Sequence, residues 1–408
     1  MEPRGTRIAL ILVTGLFFLW ALAHNLNPIL IPHLRRALQL NDMRSALVDS
    51  AFFIAYFVMA LPAGALMTRF GYRSGIVGGL LLFAIGAALF WPAATLRSYP
   101  FFLGALFIIA SGLTFLETAA NPYITALGEP STAHRRLNFA QAFNGLGAAL
   151  AAFFGGRFIL SEAAPGEDVL NAMTPAALDL FLAQEALAVR VPYLIIALVV
   201  LCAAILFLRV PLPEIRSHAA SDESARPRSM RRLWSAVAAQ FCYVGAQVGV
   251  ASFFIRFAGG TAAIGEQDAA YLLSIGLLLF MAGRFIGTAL LHHMHATTLL
   301  GASAVVAAVL TGVAVFGGGM AAVAVLIALQ LFMSIMFPTI FSLGIEGLGG
   351  RTKWGSSLLV MSIAGGAIIP PIMGAISDRH GIQLAYLVPL GCFLAVLLFA
   401  RRAKYLIA

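Results

Sequence analysis

A chain of 408 residues that is 61% hydrophobic and 11% charged, with a mean hydropathy of +0.93, carries too little charged surface for a soluble globular protein, where about a quarter of residues are charged. The net charge of +9 comes from 26 Lys and Arg against 17 Asp and Glu, set in short clusters between apolar runs, which is the pattern of membrane topology and not of a nucleic-acid surface. Cys202, Cys242 and Cys392 lie inside apolar runs with no paired spacing, so neither a disulfide framework nor a metal site is expected.

Windows of about 20 apolar residues predict twelve spans. The first six lie near 8–31, 46–68, 74–94, 100–126, 137–160 and 191–209. The second six lie near 233–257, 268–291, 297–317, 320–346, 354–377 and 383–402. Long apolar runs require helices, because a barrel would show short alternating strands. The first run, after Met1 to Arg7, continues to about Ile31 without a small-residue cleavage site and is read as a retained span. It carries Trp20, His24 and Asn27 at helical spacing. Two readings fit His24, proton transfer near neutral pH and helix packing.

Span four contains Leu113-Thr114-Phe115-Leu116-Glu117-Thr118-Ala119-Ala120-Asn121-Pro122. A carboxylate inside a membrane-length helix costs a few kcal/mol or more, so Glu117 must face a protein interior or a wet cavity. Asn121 follows one turn later on the same face, and Pro122 removes a backbone donor and frees carbonyls in the preceding turn. Span five places Asn138, Gln141, Asn144 and Gly145 on one face.

Between spans five and six, the 161–190 segment is acidic, and Thr174-Pro175 predicts the start of a short surface helix. The Arg-, Ser- and Pro-rich stretch 209–232 at mid-chain reads as a linker between an N-terminal six-helix half, 1–208, and a C-terminal one, 233–408. Span seven aligns Gln240, Tyr243 and Gln247, and span ten stacks Gln330, Ser334, Phe337 and Phe341. Arg284 in span eight snorkels, pairs with a carboxylate or lines a cavity, and the sequence does not decide among these. His292, His293 and His295 are expected in a solvated loop.

With the N-terminus inside, roughly 17 of the 26 basic residues face the cytoplasm, which predicts that both termini are cytoplasmic. The halves also echo each other. Asn121-Pro122-Tyr123-Ile124-Thr125-Ala126-Leu127-Gly128 matches Phe337-Pro338-Thr339-Ile340-Phe341-Ser342-Leu343-Gly344 at Pro, Ile, Leu and Gly with one constant offset. Asn25-Leu26-Asn27-Pro28 in span one echoes Asn121-Pro122 within the first half. Nested repeats with Pro-interrupted helices point to a secondary transporter whose site lies at the repeat interface. Sugar hydroxyls both donate and accept, which Asn and Gln can match, and aromatic faces cover sugar C–H surface. No phosphate-binding Gly loop and no nucleophile–base pair is recognisable, so an enzyme is not expected and no cofactor is predicted.

Together, Phe17-Phe18-Leu19-Trp20-Ala21, Asn25-Leu26-Asn27, Leu116 to Pro122, Gln240-Phe241-Cys242-Tyr243-Val244-Gly245-Ala246-Gln247 and Phe337 to Gly344 resemble the fucose permease family of the major facilitator superfamily. The resemblance implies an all-α integral membrane protein with twelve transmembrane helices in two six-helix halves built of nested inverted repeats. It further implies a monomer in a bacterial inner membrane that imports a monosaccharide with a proton by alternating access. Glu117 matches the family's membrane glutamate, tied to sugar recognition and protonation, and Asn25, Gln141 and Asn144 match its cavity amides. In span one Pro28 stands where the family has Asp, Phe337 where it has Tyr, and Ala251 where it has Trp. The first departure leaves a sugar uniporter or a sodium-coupled carrier as the other reading. The aromatic changes leave the sugar open.

Overall fold

The computed structural model describes residues 3–24, 38, 42–158, 173–210, 212–213 and 227–407. Among them the structure is helical, without strands. Helix α1 (Pro3–His24) forms span one, and α2 (Asp42–Ala88) contains spans two and three. Gly71 interrupts α2 with φ 85° and ψ 172°, a conformation that side-chain-bearing residues rarely adopt, and this is where the chain turns between the two spans. A short α3 (Phe90–Leu96) precedes α4 (Tyr99–Ala126), which is span four, and α5 (Ala133–Phe158) is span five.

The predicted surface helix is present as α6 (Pro175–Ala188). The Thr174 hydroxyl accepts from the Ala177 amide at 3.4 Å, and Pro175 opens the first turn. Spans six to nine are α7 (Arg190–Arg209), α8 (Pro227–Ala262), α9 (Glu266–Leu290) and α10 (Ala296–Phe316).

Span ten is split into α11 (Gly319–Met333) and α12 (Met336–Ile345). Pro338 explains the split, since a proline ring clashes with the carbonyl four residues earlier, here that of Ser334, and cannot donate to it. Pro122 sits at the matching position of α4, yet that helix continues to Ala126. Span eleven is α13 (Thr352–Met361) and α14 (Gly365–His380) joined by a 3₁₀ turn, and α15 (Leu387–Ile407) is span twelve. Among the described residues all twelve predicted spans thus correspond to helical segments, while 25–31 of span one, 159–160 of span five, 161–172 of the acidic segment and most of the 209–232 linker lie outside the described residues.

The packing repeats with a shift of six spans. Span one packs on span five (α1 on α5), as span seven packs on span eleven (α8 on α14). Span three lies on span six (α2 on α7), as span nine lies on span twelve (α10 on α15). The seam between the halves is made chiefly by α2 with α13 and by α5 with α9, that is, span two against eleven and span five against eight. Glycines let helix backbones touch within each half, and two of them match: a methyl group at Gly147 would collide with the Phe18 carbonyl, and one at Gly365 with the Phe241 carbonyl. Ile54, Phe57, Val58, Leu198, Leu278 and Val309 are exposed on the outside of the bundle, the surface that suits lipid tails.

Candidate functional site

The polar residues of α4 divide into two sets. The hydroxyls of Thr114 and Thr118 are satisfied inside their own helix, donating to the carbonyls of Ala110 at 2.8 Å and Thr114 at 2.7 Å. Glu117 has no such local partner. Its half-buried carboxylate lies beside the Tyr56 hydroxyl of α2 and feels the charge of Arg284 from α9. Tyr56 was not singled out in the sequence, because one hydroxyl within Phe52-Phe53-Ile54-Ala55-Tyr56-Phe57 looks like another core aromatic. The signal was present in the helical spacing, since Phe52, Tyr56, Ala60 and Ala63 are buried whereas Ile54, Phe57 and Leu61 are exposed.

Arg284 does not snorkel to the surface but turns inward to the other half. It is 6% exposed, and its guanidinium donates to the Gln141 backbone carbonyl, to Gln141 Oε1 at 3.0 Å and to Asn144 Oδ1 at 3.2 Å. Its other face lies 4.9 Å from the centre of the Phe280 ring. The network continues into the first half. Gln141 Nε2 lies 3.5 Å from Asn121 Oδ1, at the outer limit of a hydrogen bond, and Asn144 Nδ2 donates to the Phe17 carbonyl of α1 at 3.3 Å. Arg284, Gln141, Asn144, Asn121, Glu117 and Tyr56 therefore form one polar group drawn from α2, α4, α5 and α9, across the seam of the halves.

The remaining predicted site residues are placed as follows. Trp20 is buried, with its ring centre 4.3 Å from that of Phe17. Asn138 is fully buried and donates to the His134 carbonyl at 2.9 Å and to Thr339 Oγ1 of α12 at 3.4 Å. Tyr243 is also fully buried, and its hydroxyl donates to the Met333 carbonyl at 2.8 Å, a bond between α8 and α11 within one half. Gln247 is half-buried, and Phe337 lies 6.3 Å from Phe341 with nearly parallel rings. Gln240 is fully buried with neither side-chain polar atom hydrogen-bonded, and Asn121 Nδ2 is likewise without a partner. His24 closes α1, but its side chain and Asn25, Asn27 and Pro28 lie outside the described residues.

Further contacts join the halves at one end of the bundle, where 127–132, 291–295 and 346–351 connect the helices. His134 Nδ1 and Ser342 Oγ are 2.6 Å apart, Lys353 Nζ donates to the Met67 carbonyl at 2.7 Å, and Arg135 contacts His292. Because the Ser342 hydroxyl donates to the Thr339 carbonyl at 3.2 Å, it is the acceptor for an Nδ1–H of His134. Burial lowers the pKa of His134, Arg232 and Arg136 push the same way, and Glu346 opposes them. His292, His293 and His295 are exposed, and among the described residues no group of three or more His, Cys, Asp or Glu is placed to hold a metal.

The sequence model of the Major Facilitator Superfamily matches residues 11–353. The chain is 44% identical to the L-fucose-proton symporter of Escherichia coli (strain K12), over 98% of this chain and 94% of that one. It is equally 44% identical to a glucose/galactose transporter of Brucella abortus biovar 1 (strain 9-941), over 94% of this chain and 91% of the relative. A crystal structure of FucP in the outward conformation superposes with a TM-score of 0.91 at 43% identity, covering 98% of this chain and 99% of that one.

Proposed function

The chain belongs to the Major Facilitator Superfamily, and on that premise we propose that it imports a monosaccharide, fucose-like or a related hexose, together with a proton by alternating access. The observation that carries the reading is the polar group around Glu117. A lone carboxylate, a buried guanidinium and three amides meet at membrane depth where the two halves touch. Buried polar atoms are normally paired, so the unpaired Asn121 Nδ2 and Gln240 amide suit a ligand that both donates and accepts. Relatives of equal identity are named for fucose and for glucose or galactose, which supports the substrate class and leaves the individual sugar open.

In this mechanism Glu117 takes a proton from the outside, the neutral site binds sugar, and the loaded carrier turns inward. Neutralising the carboxylate removes the cost of moving a charge through a dry bundle. The moving bodies are 1–208 and 233–408, with 209–232 as the cytoplasmic linker. The Arg-rich end closed by His134 and Lys353 is cytoplasmic, as are both termini, and the protein works as a monomer in a bacterial inner membrane. The bilayer and the sugar are its partners, without nucleic acid, and the sugar leaves chemically unchanged.

Pro28, standing where the fucose permeases carry Asp, favours a second reading in which sugar moves alone or with sodium. Proteoliposomes challenged with a panel of sugars under an external pH electrode separate the two. Alkalinisation outside with one sugar is the expected result. Entry of labelled sugar without any pH change would replace proton coupling by facilitation or by sodium coupling.

A further inference from the structure

At the loop-bearing end a cavity of about 440 Å³ opens between α1, α5 and α9. Its lining includes Leu10, Thr132, Arg135, Arg136, Phe139 and His292, with three basic groups and no carboxylate. The two arginines have different duties. Arg136 spends its donors on the chain, bonding to the carbonyls of Ile124 at 3.1 Å, Thr125 at 2.5 Å and Glu129 at 2.8 Å, and to the Thr132 hydroxyl. It supplies charge to the cavity and holds the α4–α5 connection. Arg135 is the uncommitted one. Its described side-chain partner is His292 Nε2, its Nε is buried without a partner, and among the described residues no carboxylate pairs with it.

A cation resting on an imidazole nitrogen is a poor match, since it requires the lone pair of a neutral ring and leaves most guanidinium donors unused. A phosphate oxygen between the two would accept from both. The rim points to the rest of the ligand: Phe139 is 42% exposed and Leu10 half-buried, so the basic floor opens toward an apolar outer face. Glu129 is the nearby acid, and its carboxylate is occupied by Ser131 at 3.3 Å.

We propose that this cavity binds the phosphate headgroup of an anionic membrane lipid, with the phosphate between Arg135 and His292 and an acyl chain along Phe139 and Leu10. Arg135 belongs to one half and His292 to the other, so the bound phosphate ties the α5–α9 seam together. Free inorganic phosphate shares the headgroup chemistry but makes no use of the apolar rim.

The full-length protein in neutral detergent would be titrated with phosphatidylglycerol, phosphatidylcholine or inorganic phosphate while thermal unfolding is followed. Phosphatidylglycerol is expected to stabilise the protein more than phosphatidylcholine does. The combined Arg135→Gln and His292→Gln variant should weaken its apparent affinity about ten-fold, whereas Arg379→Gln, outside the cavity, should not. Equal protection by the two lipids, or undiminished protection of the variant, overturns the site. Full protection by inorganic phosphate alone, lost in the same variant, overturns the lipid assignment in favour of a soluble phosphate. If the double variant does not fold, Arg135→Gln alone and native mass spectrometry of the unaltered protein decide. Retention of one phosphatidylglycerol in preference to phosphatidylcholine supports the proposal, and no preference rejects it.

Discussion

Arg284 of α9 reaches across the seam to Gln141 of α5, bonding both its backbone carbonyl and, at 3.0 Å, its side-chain oxygen. A buried cation of one half is thereby solvated by the other. Hydrogen bonds to a charged group contribute about 1.5–3 kcal/mol each, and removing the cation leaves its acceptors buried and unpaired. Arg284→Gln is expected to slow sugar uptake in proteoliposomes at least about ten-fold, with a smaller loss in Arg284→Lys, which keeps the charge without the fork. Uptake at the unaltered rate in Arg284→Gln would reduce the contact to packing.

Glu117→Gln keeps the shape of the side chain and fixes it in a neutral form. If Glu117 carries the proton, this variant should lose sugar-driven alkalinisation of the medium while still exchanging labelled sugar across the membrane. Exchange needs only the loaded carrier to turn, and the amide imitates the protonated acid. Alkalinisation that persists in the variant would move the coupling group elsewhere.

These two residues also show how far the sequence could be read. The spans were legible because membrane length imposes apolar runs, and Glu117 stood out because a carboxylate in such a run is costly. Helical spacing correctly put Gln141 and Asn144 on one face, but a face is not a neighbour. That Arg284 meets them depends on the docking of α9 against α5, between residues 143 and 140 positions apart in the chain. Tyr56 was hidden by its aromatic neighbours, and the bond from Tyr243 to Met333 could not be anticipated because Pro338 marks the break in span ten but not which neighbouring helix meets the carbonyls beside it. The two matched prolines make the same point, since Pro338 splits its span and Pro122 does not.

His134 offers a pH test of the closed end. Burial, Arg232 and Arg136 hold it below its ordinary value of 6.5, against the pull of Glu346. A histidine with a lowered pKa in the closed arrangement is neutral there, so protonation favours opening. The contact with Ser342 should therefore be at full strength above about pH 6.5 and weaken as pH falls through that value. Spin labels on Ser131→Cys and Gly350→Cys should report a growing fraction of long distances between about pH 7.5 and 5.5. In His134→Gln, which retains a donor for Ser342, the distribution should stay flat; an equal pH response there would assign the titration to another group.

Gly147 and Gly365 make matching contacts in the two halves, where α1 meets α5 and α8 meets α14. In both, the neighbour is a backbone carbonyl, Phe18 in one case and Phe241 in the other, which cannot swing away as a side chain can. A methyl group must instead push the helices apart, and overpacking of this kind costs about 1–3 kcal/mol. Gly104 is the control, being exposed in α4 with no atom within 4 Å of an added methyl. There the change to Ala removes a flexible residue from a helix and should be neutral or stabilising by up to about 1 kcal/mol. Thermal unfolding in detergent should accordingly fall for Gly147→Ala and Gly365→Ala by similar amounts and hold or rise for Gly104→Ala. Because α5 and α14 also border the seam, both destabilised variants should lose transport rate. A Gly147→Ala protein that melts with the unaltered one would mean that the helices separate at no cost, and the close approach would then have no part in fixing how each half is built.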